Sequence, residues 1–184
     1  MSGGIVIKLE GIGNVMESFD KLSQQIGDKQ ATSKVLVPSV REAMKPVLAR
    51  AQANAPVDTG GLKLTLQLEA RRPTKADRRS KYINATDTVI AKVTTAPAWK
   101  LKKMSEGKGL LSARKRLIKM GVETSAANKF SGISSDARAM AQEFGTARNP
   151  AHPYLRTALE ESAQQTVKNL GEILARRITE TLRT

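Results

Sequence analysis

At 184 residues with 40% apolar content, the chain has room for one domain with a real core and too little for two full ones. It has no cysteine, which excludes disulfides and thiolate metal sites, and its single histidine leaves metal binding to carboxylates. A net charge of +14 points to polyanionic or acidic partners, while no run approaches bilayer-spanning length and the start, MSGGIVIKLEG, lacks the pattern of a secretory signal.

Aromatics are scarce, so the core must come from Leu, Ile, Val, Met and Ala. Ile5 to Leu9 is a short β-branched run closed by Gly11 and Gly13, and reads as a strand. Asn14 then reads as a helix cap with Glu17 three residues on, and Val15, Phe19, Leu22 and Ile26 recur at helical spacing up to a stop at Gly27. From about Gln30 to Asn54 the pattern is again helical, with Val40, Ala43, Met44, Val47, Leu48 and Ala51 on one face. Pro38 begins its well-formed part, Pro46 kinks it and Pro56 lies beyond its end.

Thr59-Gly60-Gly61 is a tight turn. Leu62, Leu64, Leu66 and Leu68 follow at period two, which predicts a strand with one face buried. After a basic loop from Arg71 to Lys81, Thr88 to Thr94 reads as its antiparallel partner. From Pro97 to Gly132 the pattern weakens to one short basic helix, from about Gly109 to Met120, in a Lys-, Gly- and Ser-rich insertion expected to be partly disordered when free. Asp136 to Phe144 reads as a strand running into the Gly145-Thr146 turn. Pro153 opens a long last helix striped by Leu155, Leu159, Val167, Leu170, Leu174, Ile178 and Leu182, with a soft spot at Gly171.

The charge is uneven. Between Arg71 and Lys119 there are fifteen Lys/Arg against three acids, a local net of +12. Such a block predicts a salt-sensitive contact with a polyanion or an acidic protein, or else a solvated arm. Only Tyr82 and Trp99 lie within it, too few for a base-stacking platform, so nucleic-acid contact would run through phosphates. Trp99 reads as either an interface anchor or a buried structural residue.

Catalytic constellations are thin. His152 sits beside a turn between Ala151 and Pro153, where a turn contact is the better reading, and no metal-loop or metalloprotease motif is present. Asp58, Asp136 and Glu143 would need the fold to bring them together; Asp58 is expected to bond the turn amides that follow it. Gly11-Ile12-Gly13-Asn14 lacks the third glycine and the Gly-Lys-Ser/Thr ending of a phosphate loop.

Two corner segments remain. APVDTGGL (Ala55 to Leu62) carries Pro56, Thr59 and Gly60. AQEFGTARNPAHPYLRTAL (Ala141 to Leu159) carries Glu143, Phe144, Gly145 and Thr146, then Pro153, Tyr154, Leu155, Arg156, Ala158 and Leu159. In this order they resemble the paired signatures of tail-completion (head–tail joining) proteins of long-tailed double-stranded DNA phages, a minor tail protein type. Tyr154 stands where that family commonly has phenylalanine, and the segment from Trp99 to Phe130 is longer than its usual variable loop.

The resemblance implies a single α+β domain over 1–184: a small antiparallel sheet packed against two N-terminal helices and one long C-terminal helix, with 97–132 as a basic insertion. It implies a non-catalytic neck protein of the virion, without cofactor, assembled in the bacterial cytoplasm. It would form rings, often six-fold, between the head connector and the tail tube or its terminator. Glu143 and Thr146 are expected to form a corner that fixes the last helix against the sheet. Trp99, Lys102, Lys103, Arg114, Lys115 and Arg116 are the expected assembly residues, docking on an acidic neighbour or facing packaged DNA. The alternative is a basic accessory protein that binds nucleic acid non-specifically.

Overall fold

The computed structural model describes residues 12–132 and 137–183. The strand expected at Ile5 to Leu9 lies outside them, as does Asp136. The architecture is mostly helical α+β, with one two-stranded antiparallel sheet, N-terminal helices and a long C-terminal helix. Its contacts define two compact units. One joins the described part of Met1–Pro46 with Leu68–Lys92 and Ser162–Thr184; the other joins Val47–Gln67 with Val93–Glu161.

In the first unit, α1 (Ile12–Ile26) ends where Gly27 adopts a left-handed φ of 83°, as the Gly27 stop predicts. Asn14 is not its cap. The helix starts two residues earlier, and the Asn14 carbonyl accepts a bond from Ser18 Oγ inside the first turns. The short α2 (Asp28–Gln30) leads into a π-helical stretch, Ala31–Leu36, and then α3 (Val37–Ala43). The widened turns lie just before Pro38, whose ring would crowd the Lys34 carbonyl in a regular α-helix. Phe19 and Leu22 pack with Ala31, Val35 and, from the last helix, Leu174 and Ile178. Glu42 of α3 pairs with Arg176 at 3.0 Å and Arg177 at 2.7 Å.

The helix breaks at Met44, ahead of Pro46, and α4 (Lys45–Asn54) belongs mainly to the second unit. The strand expected from Leu62 is displaced. Gly61–Thr65 is a helical turn, α5, closed by the Leu64 amide on the Gly60 carbonyl at 3.2 Å, and β1 covers only Leu66–Arg71. A strand would have put all four leucines on one face. The turn instead sends Leu64 into a cluster with Ala113, Leu117, Val122, Ala127 and Phe130, while Leu62 and Leu66 join Ala51, Ala55, Tyr154 and Ala158.

The partner strand appears as expected: β2 is Ile90–Thr95, and Lys92 faces Glu69 of β1 at 3.4 Å. The segment 97–132 is occupied by α6 (Ala98–Met104), α7 (Gly107–Lys119) and α8 (Thr124–Lys129), and their inner faces close over Leu117 and Phe130.

The strand expected from Asp136 to Phe144 is an error: Ala137–Phe144 is a helix, α9. Its sequence, ARAMAQEF, contains no β-branched residue and is built almost wholly from strong helix formers. The last helix, α10 (Leu155–Leu182), runs through Gly171 without a break.

Candidate assembly site

The two corner segments meet. In the second unit, Pro56, Asp58, Thr59 and Gly60 line one open cleft of about 460 Å³ together with Gln142 and Asn149. Gly60 has φ 73°, and a Cβ there would lie 2.9 Å from both Leu117 Cδ2 and Val122 Cγ2. Gly145 has φ 76°, and a Cβ there would lie 2.9 Å from the Ala151 nitrogen. Both glycines are thus required twice over, by backbone conformation and by close approach.

Glu143 is the centre of the second corner. It is 2% exposed at the end of α9. Its Oε2 accepts the amides of Tyr154 and Leu155, both at 2.9 Å, and its Oε1 accepts the Arg156 amide at 3.2 Å and Arg156 Nε at 2.9 Å. Arg156 Nη2 also donates to the Glu143 carbonyl at 2.9 Å. These amides open α10, where helical N–H groups have no internal partner and a negative charge meets the positive end of the helix dipole. Burial alone would raise the Glu143 pKa; the Leu155 amide, the Arg156 side chain and the Arg156 and Tyr154 amides overcome it and hold the carboxyl below its usual range. Tyr154, buried beside it, has its hydroxyl pushed up to about 12 by burial and by the Glu143 charge.

The other corner residues serve this arrangement. Thr146 Oγ1 accepts the amides of Arg148 at 3.3 Å and Asn149 at 3.1 Å, and the Thr146 amide donates to the Asn149 carbonyl at 2.9 Å. The His152 amide donates to the Gln142 carbonyl at 2.7 Å, a turn contact. Pro153 is exposed just before the helix. Leu155 packs against the cluster around Tyr154. Phe144 is exposed, with the Arg156 guanidinium 5.2 Å from its ring centre. Asp58 is exposed and, among the described residues, makes none of the turn hydrogen bonds expected of it. Gln142 and Asn149 were not singled out within the second segment, and Arg156, one of its motif residues, had no role assigned to it.

The expected assembly residues divide. Trp99 is 69% exposed on α6, so it is no core residue, and Lys102 and Lys103 share its face at helical spacing. Lys115 and Arg116 are exposed on α7. Arg114 is half-buried, and its Nε donates to the Phe130 carbonyl at 3.0 Å, which ties α7 to the end of α8. Nor is the rest of the basic block wholly free: Arg71 pairs with Glu69 and Asp77, and Arg78 donates to the carbonyls of Asn84, Ala85 and Asp87.

A second hollow, of about 280 Å³, lies along β2 and is lined by Val93, Thr95, Met140, Phe144 and Leu155. The sheet holds only β1 and β2 among the described residues, so among them neither strand has a second strand beside it. No group of His, Asp or Glu that would hold a metal occurs among the described residues, and no helix there is long and apolar enough to cross a membrane. No protein-family model matches the chain, nor does any curated protein or solved structure.

Proposed function

We propose that the chain is a non-catalytic structural protein of the head–tail interface of a long-tailed phage, acting by ring assembly with copies of itself and with the tail tube and head connector. The observation that carries the reading is the meeting of the two corner segments in one cleft. Pro56, Thr59 and Gly60 of the first segment share its walls with Gln142 and Asn149, some eighty positions on, which lie within the second segment beside its signature residues, and Glu143 bonds that segment to the last helix. A subunit that closes rings needs such fixed corners, together with surfaces left unsatisfied in the monomer. The edge of β2 that has no partner among the described residues, the hollow beside it with exposed Met140 and Phe144, and exposed Trp99 supply surfaces of that kind.

Negative-stain microscopy tests the proposal: the purified chain, alone or mixed with a tail-tube protein, should give closed rings. Substituting Lys102, Lys103, Lys115 and Arg116 by Ser should reduce head–tail joining while leaving the melting curve in place. The second reading, a non-specific nucleic-acid binder, is favoured by one observation: Lys102, Lys103, Lys115 and Arg116 form no ion pair among the described residues. It predicts duplex retention at physiological salt that falls steeply as salt rises. A chain that stays monomeric in both mixtures and holds duplex under those conditions would replace the first reading with the second.

A further inference from the structure

The outer face of α7 is exposed. Its inner face, with Ala113 and Leu117, is committed to the core. The opposite face carries Lys108, Leu111, Lys115, Ile118 and Lys119, in steps of three and four residues from Lys108 to Ile118 with Lys119 four beyond Lys115, and all five are exposed. Leu111 is 59% exposed and Ile118 42%, two turns apart and thus about 10.5 Å along the helix. The three lysines form no ion pair among the described residues. Lys108 also lies in the first turn, where a cation opposes the helix dipole, so intrinsic helix stability does not explain it.

We infer that this face docks an acidic amphipathic segment of a partner protein, with apolar residues at two-turn spacing set against Leu111 and Ile118 and carboxylates set against Lys108, Lys115 and Lys119. Charge complementarity fixes the sign of the partner. The two apolar side chains fix its class. A nucleic-acid backbone would satisfy the lysines but would press phosphates against Leu111 and Ile118, and this face offers no aromatic ring for a base to stack on. A helix presenting leucines between glutamates satisfies both at once. The inference rests on the exposure of α7; it shares Lys115 with the proposed head–tail contact but does not depend on ring closure.

The test uses three labelled probes at physiological ionic strength, read by fluorescence anisotropy on the full chain: an acidic amphipathic peptide with leucines two turns apart, polyglutamate of equal charge, and duplex DNA. The peptide should bind about tenfold tighter than either of the others, the gain expected from partly burying two aliphatic side chains. The double variant Leu111→Ser, Ile118→Ser should lose that advantage and keep its affinity for polyglutamate. Lys115→Gln with Lys119→Gln should weaken both acidic probes. Circular dichroism melts matching the parent keep folding out of the comparison. Duplex bound as tightly as the peptide, or a peptide advantage that survives loss of Leu111 and Ile118, overturns the inference. Neither result bears on whether rings form.

Discussion

Replacing Glu143 by alanine strips three amides at the start of α10 of their shared acceptor, at a place shielded from water. Hydrogen bonds to a charged group contribute more than neutral ones, and orphaned donors carry a desolvation cost, so the loss should be about 3 kcal/mol in urea unfolding. The same carboxylate sets a pH dependence. Its pKa is lower folded than the ordinary 4.5, so the unfolded chain binds the proton more readily. Its stabilisation is therefore complete above that value and drains away as the pH falls through the lowered folded one. Glu143→Gln should be less stable than the parent at neutral pH by about 1–2 kcal/mol, since the neutral amide bonds less strongly, and the gap should narrow on acidification. A gap that stays constant down the acid limb of the urea series would refute the assignment of the charge as the source. Thr146→Val removes two exposed, longer bonds and should cost about 0.5–1 kcal/mol, visible as a small fall in melting temperature. Gly60→Ala combines a left-handed backbone with the approach to Leu117 and Val122, and should cost about 1–2 kcal/mol.

At the scale of elements, burial decides which basic residues matter to folding. Arg114→Ser removes the bond that ties α7 to the Phe130 carbonyl and should lower stability by about 1 kcal/mol, whereas Lys115→Ser, one position on and exposed, should stay within about 0.5 kcal/mol of the parent. Equal melting temperatures for the two would show that the Arg114 contact carries nothing. Sequence spacing alone could not separate these neighbours, because charge composition is blind to which side of a helix meets the core. The long α10 and the helix before Gly27 were legible, since each repeats apolar residues over several turns. The start of β1 was not. Four leucines at period two imitate a strand, yet the glycine turn ahead of them winds the first residues into α5 and divides their side chains between two clusters. Helix α9 was misread because eight residues are too few for periodicity to outweigh the expectation of a strand beside a turn, although its composition was helical throughout. Of the candidate site, the glycines and Glu143 were visible as corner residues; the cap that Glu143 makes needed the fold, since its partners lie eleven to thirteen positions away.

At the scale of the whole molecule, the charge of +14 gives the two readings opposite dependences on salt. Copies of a chain this basic repel one another, and the repulsion reaches further as ionic strength falls, with a screening length of about 30 Å at 0.01 M against about 8 Å at 0.15 M. Association between identical copies, driven by strand edges and apolar hollows, should therefore strengthen as salt rises through that range. Contact with a polyanion should weaken over the same range, because each phosphate neutralised releases a counterion that added salt drives back. Mass photometry of the chain across this range should show the oligomeric fraction growing, while a duplex-retention assay on the same samples should show binding falling. Contact with an acidic protein would also weaken with salt, but its apolar part would persist and flatten the slope. An oligomer that dissociates as salt is added would mean that ion pairs, rather than β2 and its apolar surroundings, hold the copies together, and the proposed mode of ring closure would have to be abandoned.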